Sequence, residues 1–276
     1  MSFRFRVLGS GSSGNTTLVE AGSTRILIDA GLGPRSLAER LQSAGVDPDS
    51  LTAILLTHEH TDHAKGAAAF SAKWGVPLWG SRGTYAALGL GATEIAGYEV
   101  LEAGVSREAG ALTLAAVAVP HDAAAPLAFV VSYQGLAFGH ATDLGHLNRG
   151  FVASFSRCAA LLVESNYDPG LLRDGPYPWS LKERIFGPEG HLGNGDVARY
   201  LEQGLGPDCH TVVLAHLSEK NNHPELVRMC ADEALGRARR RDLHLEITTR
   251  DGTGWIHVSQ RSQPRPVRGA GQLTLF

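Results

Sequence analysis

The sequence predicts an α/β protein of four layers, with two β-sheets packed face to face and helices covering both outer surfaces. Three observations predict it. Strand-like apolar runs gather in two blocks, helical patterns are distributed around both blocks, and neither a repeat nor a long linker divides the chain before about residue 259.

In the first block, residues 3–8, 16–20, 25–29 and 53–57 read as strands, separated by a Gly/Ser loop, short turns and a helical stretch at 36–43. Small residues at 64–69 read as a helix start. The second block places strands at 111–119, 127–134, 136–139, 159–164 and 211–216, with helices at 196–203 and 225–240. From Ser259 the composition turns to Gln, Arg, Pro and Gly, which reads as a disordered tail. The expected organisation is one domain over 1–258 and a tail over 259–276.

Hydrophobic residues make up 43% of the 276, ample for a sizeable core. No apolar run reaches the ~18 residues of a membrane span. The opening residues Met1-Ser2-Phe3-Arg4-Phe5-Arg6 lack the apolar core of a signal peptide, so a cytoplasmic location without a membrane partner is expected. Cys158, Cys209 and Cys230 are widely spaced and odd in number, which indicates neither a disulfide framework nor a CxxC metal clamp. A net charge of -3 argues against indiscriminate coating of nucleic acid, while leaving room for a local basic patch. The basic run at 237–241 closes a helix, where cations complement the dipole and face solvent.

The chemistry concentrates in Thr57-His58-Glu59-His60-Thr61-Asp62-His63, directly after the apolar run 53–56. At a strand end, positions two apart point the same way, so His58 and His60 can present imidazoles to one ion. As the chain turns into the following helix, Asp62 and His63 swing to a neighbouring position. Imidazole nitrogen and carboxylate oxygen are the ligands of zinc and similar first-row cations, so the run predicts two adjacent ions.

Other acidic and histidine residues close apolar runs further on. Val119-Pro120-His121-Asp122, Ala141-Thr142-Asp143-Leu144-Gly145 and Val212-Val213-Leu214-Ala215-His216 follow strand signals in turn. In this order the chain resembles the metallo-β-lactamase fold, an αββα arrangement with two mixed sheets. The resemblance implies one ion on His58, His60 and His121, a second on Asp62, His63 and His216, and Asp143 between them. The implied cofactors are two divalent cations, Zn²⁺ or Mn²⁺. His140 also ends a strand and competes with His121, although its place three residues before Asp143 favours a supporting role. Asp29 is read as a turn-forming aspartate with the same ambiguity.

Three further segments narrow the branch. His191, in Gly187-Pro188-Glu189-Gly190-His191-Leu192-Gly193-Asn194, falls between the bridging aspartate and the last ligand. Phosphodiesterases of this fold, such as tRNase Z, carry there a histidine that contacts the phosphate and aids the leaving oxygen. The loop Gly9-Ser10-Gly11-Ser12-Ser13-Gly14-Asn15 and the stretch Leu217-Ser218-Glu219-Lys220-Asn221-Asn222-His223-Pro224 resemble the YycJ/WalJ subfamily, associated with exonuclease activity on double-stranded DNA. That subfamily usually has serine where this chain has Gly193. The Asn-Asn-His stretch reads either as a helix cap before Pro224 or as part of the site. The last residues, Gln272-Leu273-Thr274-Leu275-Phe276, look like the peptide by which bacterial polymerases and repair proteins dock on the sliding clamp, tethered by a Pro/Arg/Gly linker.

The resulting expectation is a two-metal phosphodiesterase, a 5'-to-3' DNA exonuclease of replication or repair. Paired ions would lower the pKa of a bridging water towards ~7, and His191 would serve the developing oxyanion beside Asp62 and Asp143. Asn15 and Asn194 are the expected phosphate contacts. A small-molecule hydrolase, either a cyclic phosphodiesterase or a glyoxalase-like thioesterase, would use the same ligands without needing a clamp peptide. A clamp-bound scaffold with purely structural metal fits poorly with an open, mixed His/Asp ligand set.

Overall fold

The computed structural model describes residues 2–91 and 93–260. The first sheet takes β1 (Phe3–Gly9), β2 (Thr16–Ala21), β3 (Thr24–Ile28), β4 (Ala53–Leu55), β5 (Leu78–Gly80) and β6 (Tyr98–Val100). The second takes β7 (Ser106–Ala109), β8 (Leu112–Ala118), β9 (Leu127–Tyr133), β10 (Leu136–Ala141), β11 (Ala160–Glu164), β12 (Thr211–Ala215) and β13 (His244–Ile247). A last short strand, β14 (Ile256–His257), returns to the first sheet beside β1.

Strand order is β14-β1-β2-β3-β4-β5-β6 in one sheet and β13-β12-β11-β10-β9-β8-β7 in the other. Each sheet changes character part-way. β1, β2 and β3 pair antiparallel by short turns, whereas β3, β4, β5 and β6 run parallel, joined by crossovers that carry helices. The second sheet does the same, antiparallel from β7 to β10 and parallel from β10 to β13. Both are therefore mixed sheets.

Alternation along the strands sorts the core. Phe5, Val19, Ile26, Ile28 and Leu55 from one sheet meet Leu114, Phe129, Val131, Phe138 and Leu162 from the other. The rings of Phe5 and Phe138 stack across this interface with centroids 4.1 Å apart. Burying side chains of this size contributes ~1.5–3 kcal/mol each, which is what holds the sheets together. The opposite faces carry the helices. Leu37 and Leu41 of helix Pro34–Ser43 and Phe70 of helix Ala67–Trp74 cover Leu18, Leu27 and Ile54. Phe151 and Phe155 of helix Arg149–Phe155, Val197 and Leu201 of helix Asn194–Gln203, and Val227 and Ala231 of helix Pro224–Arg237 cover Leu161, Val163, Val212 and Leu214. The four layers are as the sequence predicts.

The parallel strands also set the site. β3, β4, β10, β11 and β12 end at one edge of the sandwich, where loops from both sheets meet, and open α/β sheets present ligands outside the carboxyl ends of their strands. Among the described residues no helix is long and apolar enough to cross a membrane. The tail residues from 261 onward, including Gln272, Leu273, Leu275 and Phe276, lie outside the described residues.

Candidate metal centre

Several of the functional side chains sit where an apolar strand stops. Asp29 follows β3 directly and His216 follows β12 directly, while Asp143 comes two residues after β10. All three adopt positive φ, at 63°, 54° and 60°. A left-handed residue turns the chain sharply and is unfavourable for any side chain but glycine, so such conformations persist where tertiary structure enforces them, often at functional sites. The run after β4 makes a short helix, Thr61–Ala64, that carries Asp62 and His63. That turn packs against the one after β3: Gly31 N donates to Asn15 O, Asn15 N to Asp62 O and Ala30 N to His63 O. A Cβ on Gly31 would lie 1.7 Å from Asp62 O, so only glycine permits this approach.

Two trios result. Ligand atoms of His58, His60 and His121 lie within 4.8 Å of one another, and so do those of Asp62, His63 and His216. Asp143 faces both: its Oδ2 is 3.0 Å from His63 Nε2 and its Oδ1 3.8 Å from His121 Nε2. These seven are the residues expected as ligands, and the structure brings them together in the expected grouping. A further cluster joins Asp143, Glu164, His191 and His216.

The donor set suits cations. His58 Nε2 is buried without a hydrogen-bond partner, an isolation that costs about 1–3 kcal/mol if nothing binds there. Among the described residues no lysine or arginine pairs with Asp62, Asp143 or Glu164; their ion-pair partners are histidines. Burial, with His63 adding to it, holds His58 well below the ordinary imidazole range, and burial lowers His121 as well. Burial also opposes charge on His63, but Asp143 and Asp29 outweigh it and raise its pKa well above the usual value. The same contest, with burial set against Asp143 and Asp62, puts His216 at about 10. Cations entering this cluster would take over the charge balance from those protons.

Supporting contacts fix the rings. Asp29 Oδ2 lies 2.7 Å from His63 Nδ1, and the two Asp29 oxygens accept from Thr57 Oγ1, one of them also from Thr57 N. Asp29 is therefore not merely a turn former: fully buried, it orients His63, and this corrects the sequence expectation. His140 is buried beside Thr17 Oγ1, at 3.2 Å, and belongs to neither trio. Asn15 sits in the cluster, but its Nδ2 is engaged at 3.2 Å by Asp62 Oδ2 and at 3.0 Å by His63 Nε2, while its Oδ1 accepts from Gly11 N. Asn194 departs from expectation. It is 2% exposed, its Oδ1 accepts from Ser165 Oγ and Asn222 Nδ2, and its own Nδ2 donates to Asn222, so the amide ties two loops together rather than facing a phosphate.

Glu164, the last residue of β11, is the participant that sequence reasoning misses. Fully buried, it places Oε2 3.0 Å from His191 Nδ1 and 3.3 Å from His216 Nδ1, and its Oε1 accepts from the backbone N–H groups of Leu144 and Leu192. Burial disfavours its charge, yet His191 and His216 bring its pKa down to about 2. Asn166 adds a donor to His216 O, and Ser10 Oγ, from the Gly/Ser loop, accepts from His216 N. Gly193 has its own reason: a Cβ there would sit 2.8 Å from the Tyr167 ring. His223 caps helix Pro224–Arg237 by accepting from Glu225 N, and Arg237 pairs with Glu202 and Glu233.

Residues 9–220 match the model of the metallo-beta-lactamase superfamily. The chain belongs to that superfamily. It is 33% identical over 242 residues to the Exodeoxyribonuclease WalJ of Streptococcus pneumoniae, covering 86% of this chain and 90% of that protein. It is 31% identical over 237 residues to the Exodeoxyribonuclease YycJ of Bacillus anthracis, covering 85% and 90%. Among solved structures, the metallo-beta-lactamase fold protein YhfI of Bacillus subtilis superposes with a TM-score of 0.71 at 15% identity, covering 93% of this chain and all of that one, a likeness of fold. Superfamily members use divalent metals, and the cluster at the strand ends has the donors to hold them.

Proposed function

We propose that the protein is a metal-dependent nuclease that removes nucleotides from DNA, acting as a 5'-to-3' exonuclease on duplex ends during replication or repair in the cytoplasm. One arrangement carries the reading: a trio of histidines and an Asp/His trio flank Asp143, and on its far side His191 rests on Glu164. Similarity to exodeoxyribonucleases over nearly their whole length supports DNA as the substrate.

In this reading His58, His60 and His121 would hold one divalent cation and Asp62, His63 and His216 the other, with Asp143 between the two trios. Such a pair would lower the pKa of a bound water and draw charge off the phosphate. The chain's own residues handle the leaving group. Burial works against a charged His191, but Glu164 and Asp143 raise its pKa above the usual value, which favours the protonated form. With Nδ1 on Glu164 and about a fifth of the side chain exposed, His191 can give a proton to the departing oxygen. Asn15 acts indirectly, by holding Asp62 and His63.

The test is digestion of end-labelled duplex DNA, single-stranded DNA and RNA by purified protein in Mn²⁺ or Zn²⁺. Release of nucleotides from DNA in preference to RNA supports the reading; attack on RNA alone contradicts it. The proposal extends to the tail over 259–276, as a tether presenting Gln272, Leu273, Leu275 and Phe276 to the bacterial sliding clamp. Docking there would raise the local concentration of the protein at replicating DNA. Absence of clamp binding by a peptide of the last ten residues in a polarisation assay would remove this part alone.

A further inference from the structure

Between β11 and helix Asn194–Gln203 the chain builds two short helices, Pro169–Asp174 and Trp179–Phe186, at the lip of the metal centre. Between this element and the loop that carries His191 lies a cavity of about 150 Å³, with Gly190 and His191 on one side and Tyr177, Leu181 and Arg184 on the other. Exposed apolar surface gathers on the same element: Leu171 is 40% exposed, Trp179 60% and Phe186 41%.

Positive charge is close by. Lys220, from the loop that follows His216, places its ammonium 5.7 Å from the Tyr177 ring centroid. Arg184 pairs with Asp122, whose Oδ1 is 3.4 Å from His121 Nε2, so this wall is tied to the metal ligands. The wall is also braced from within. Lys182 Nζ donates to Arg173 O and Gly175 O, each at 2.7 Å, and Asp168 N donates to Asn221 O at 2.8 Å. The loop at 217–223 thus supports the element that faces the cavity.

Tyr177, the Arg184–Asp122 pair and the proposed proton donor His191 line one small cavity, and the Lys220 ammonium lies over the Tyr177 ring outside it. That combination recognises a nucleobase next to a phosphate, because stacking needs only a π-face and the cation favours the backbone. We propose that the cavity is a base subsite, in which the base of the nucleotide being removed stacks on Tyr177. The inference rests on the nuclease reading of the same site and adds the element that positions the terminal nucleotide. Stacking tolerates every base, so the subsite makes cleavage nearly independent of sequence.

The test compares kcat/KM on two DNA substrates, one intact and one with an abasic residue at the end being digested, for the unaltered protein and for Y177A, Y177L and Y177F. Stacking on an aromatic side chain is worth roughly 5- to 150-fold per base. The unaltered protein should therefore prefer the intact end by about fivefold or more. The preference should fall towards one in Y177A and Y177L and persist in Y177F. A ratio does not depend on how much of a variant is folded. A ratio unchanged in Y177A and Y177L, or near one in the unaltered protein, overturns the subsite while leaving the nuclease reading intact. Failure of the unaltered protein to cleave either DNA overturns both.

Discussion

Glu164 Oε2 lies 3.0 Å from His191 Nδ1 and 3.3 Å from His216 Nδ1, so one buried carboxylate orients both the proposed proton donor and a proposed metal ligand. A side chain at the end of β11 thereby couples the leaving-group side of the site to the metal side. His191 and His216 should respond differently to substitution even though they share a partner.

His191→Ala should retain both metals and turn over roughly 10²- to 10⁴-fold more slowly, the range for loss of a general acid. Metal content by mass spectrometry, set beside the single-turnover rate, checks it. A marked loss of metal would make His191 a ligand, and unchanged turnover would make it structural.

Glu164→Gln should move the alkaline limb of the pH–rate profile to lower pH. Burial pulls the His191 pKa down and Glu164 pushes it up, so removing the carboxylate charge leaves burial less opposed and the imidazole loses its proton earlier as pH rises. The readout is kcat/KM against pH. An alkaline limb that stays in place would show that His191 is not the acid.

Asp29→Asn should weaken metal binding by about 10- to 100-fold, the usual cost of removing the partner that orients a ligating histidine. The motivating contact is the 2.7 Å approach of Asp29 Oδ2 to His63 Nδ1 in a fully buried setting. Competition against a chelator of known affinity measures it, and equal affinity in variant and parent would contradict it.

His140 should make the metal-free protein sensitive to acid. Burial brings its pKa down to about 4, whereas in the unfolded chain it titrates near 6.5. Between those values the unfolded state binds more protons, so the contribution is fully present above about pH 6.5 and is lost as pH falls to about 4, on the order of 3 kcal/mol in all. In chelator, urea midpoints over this range should fall less steeply for His140→Gln than for the parent. Parallel curves would argue against the assignment.

The residues that the sequence made legible are those in which a charged or imidazole side chain follows an apolar run long enough to read as a strand. Asp143, His121 and His216 all have that form, and the run from His58 to His63 concentrates four donors in six positions. Glu164 has the same form but stayed hidden, because a single acidic residue closing 159–163 looks like any strand end passing into solvent. Only the fold shows that it is enclosed. Asn194 failed for the opposite reason: its nearness to His191 in sequence suggested a shared role, but the start of a helix turns its amide towards Ser165 and Asn222. β5, β6, β13 and β14 are two to four residues long, too short for period-two alternation to register, and they exist because neighbouring strands supply the hydrogen bonds.

Asp143→Asn should lose hydrolysis and metal together, since it removes the charge between the two trios. Full activity with two metals bound would remove Asp143 from the account.

The most direct test of the central claim is a titration of chelator-stripped protein with Mn²⁺ or Zn²⁺, following nucleotide release from end-labelled duplex DNA at a protein concentration well above the metal dissociation constant. The account predicts that release rises with added metal and breaks to a plateau at two equivalents. A plateau at one equivalent, or no release from DNA at saturating metal, would contradict it.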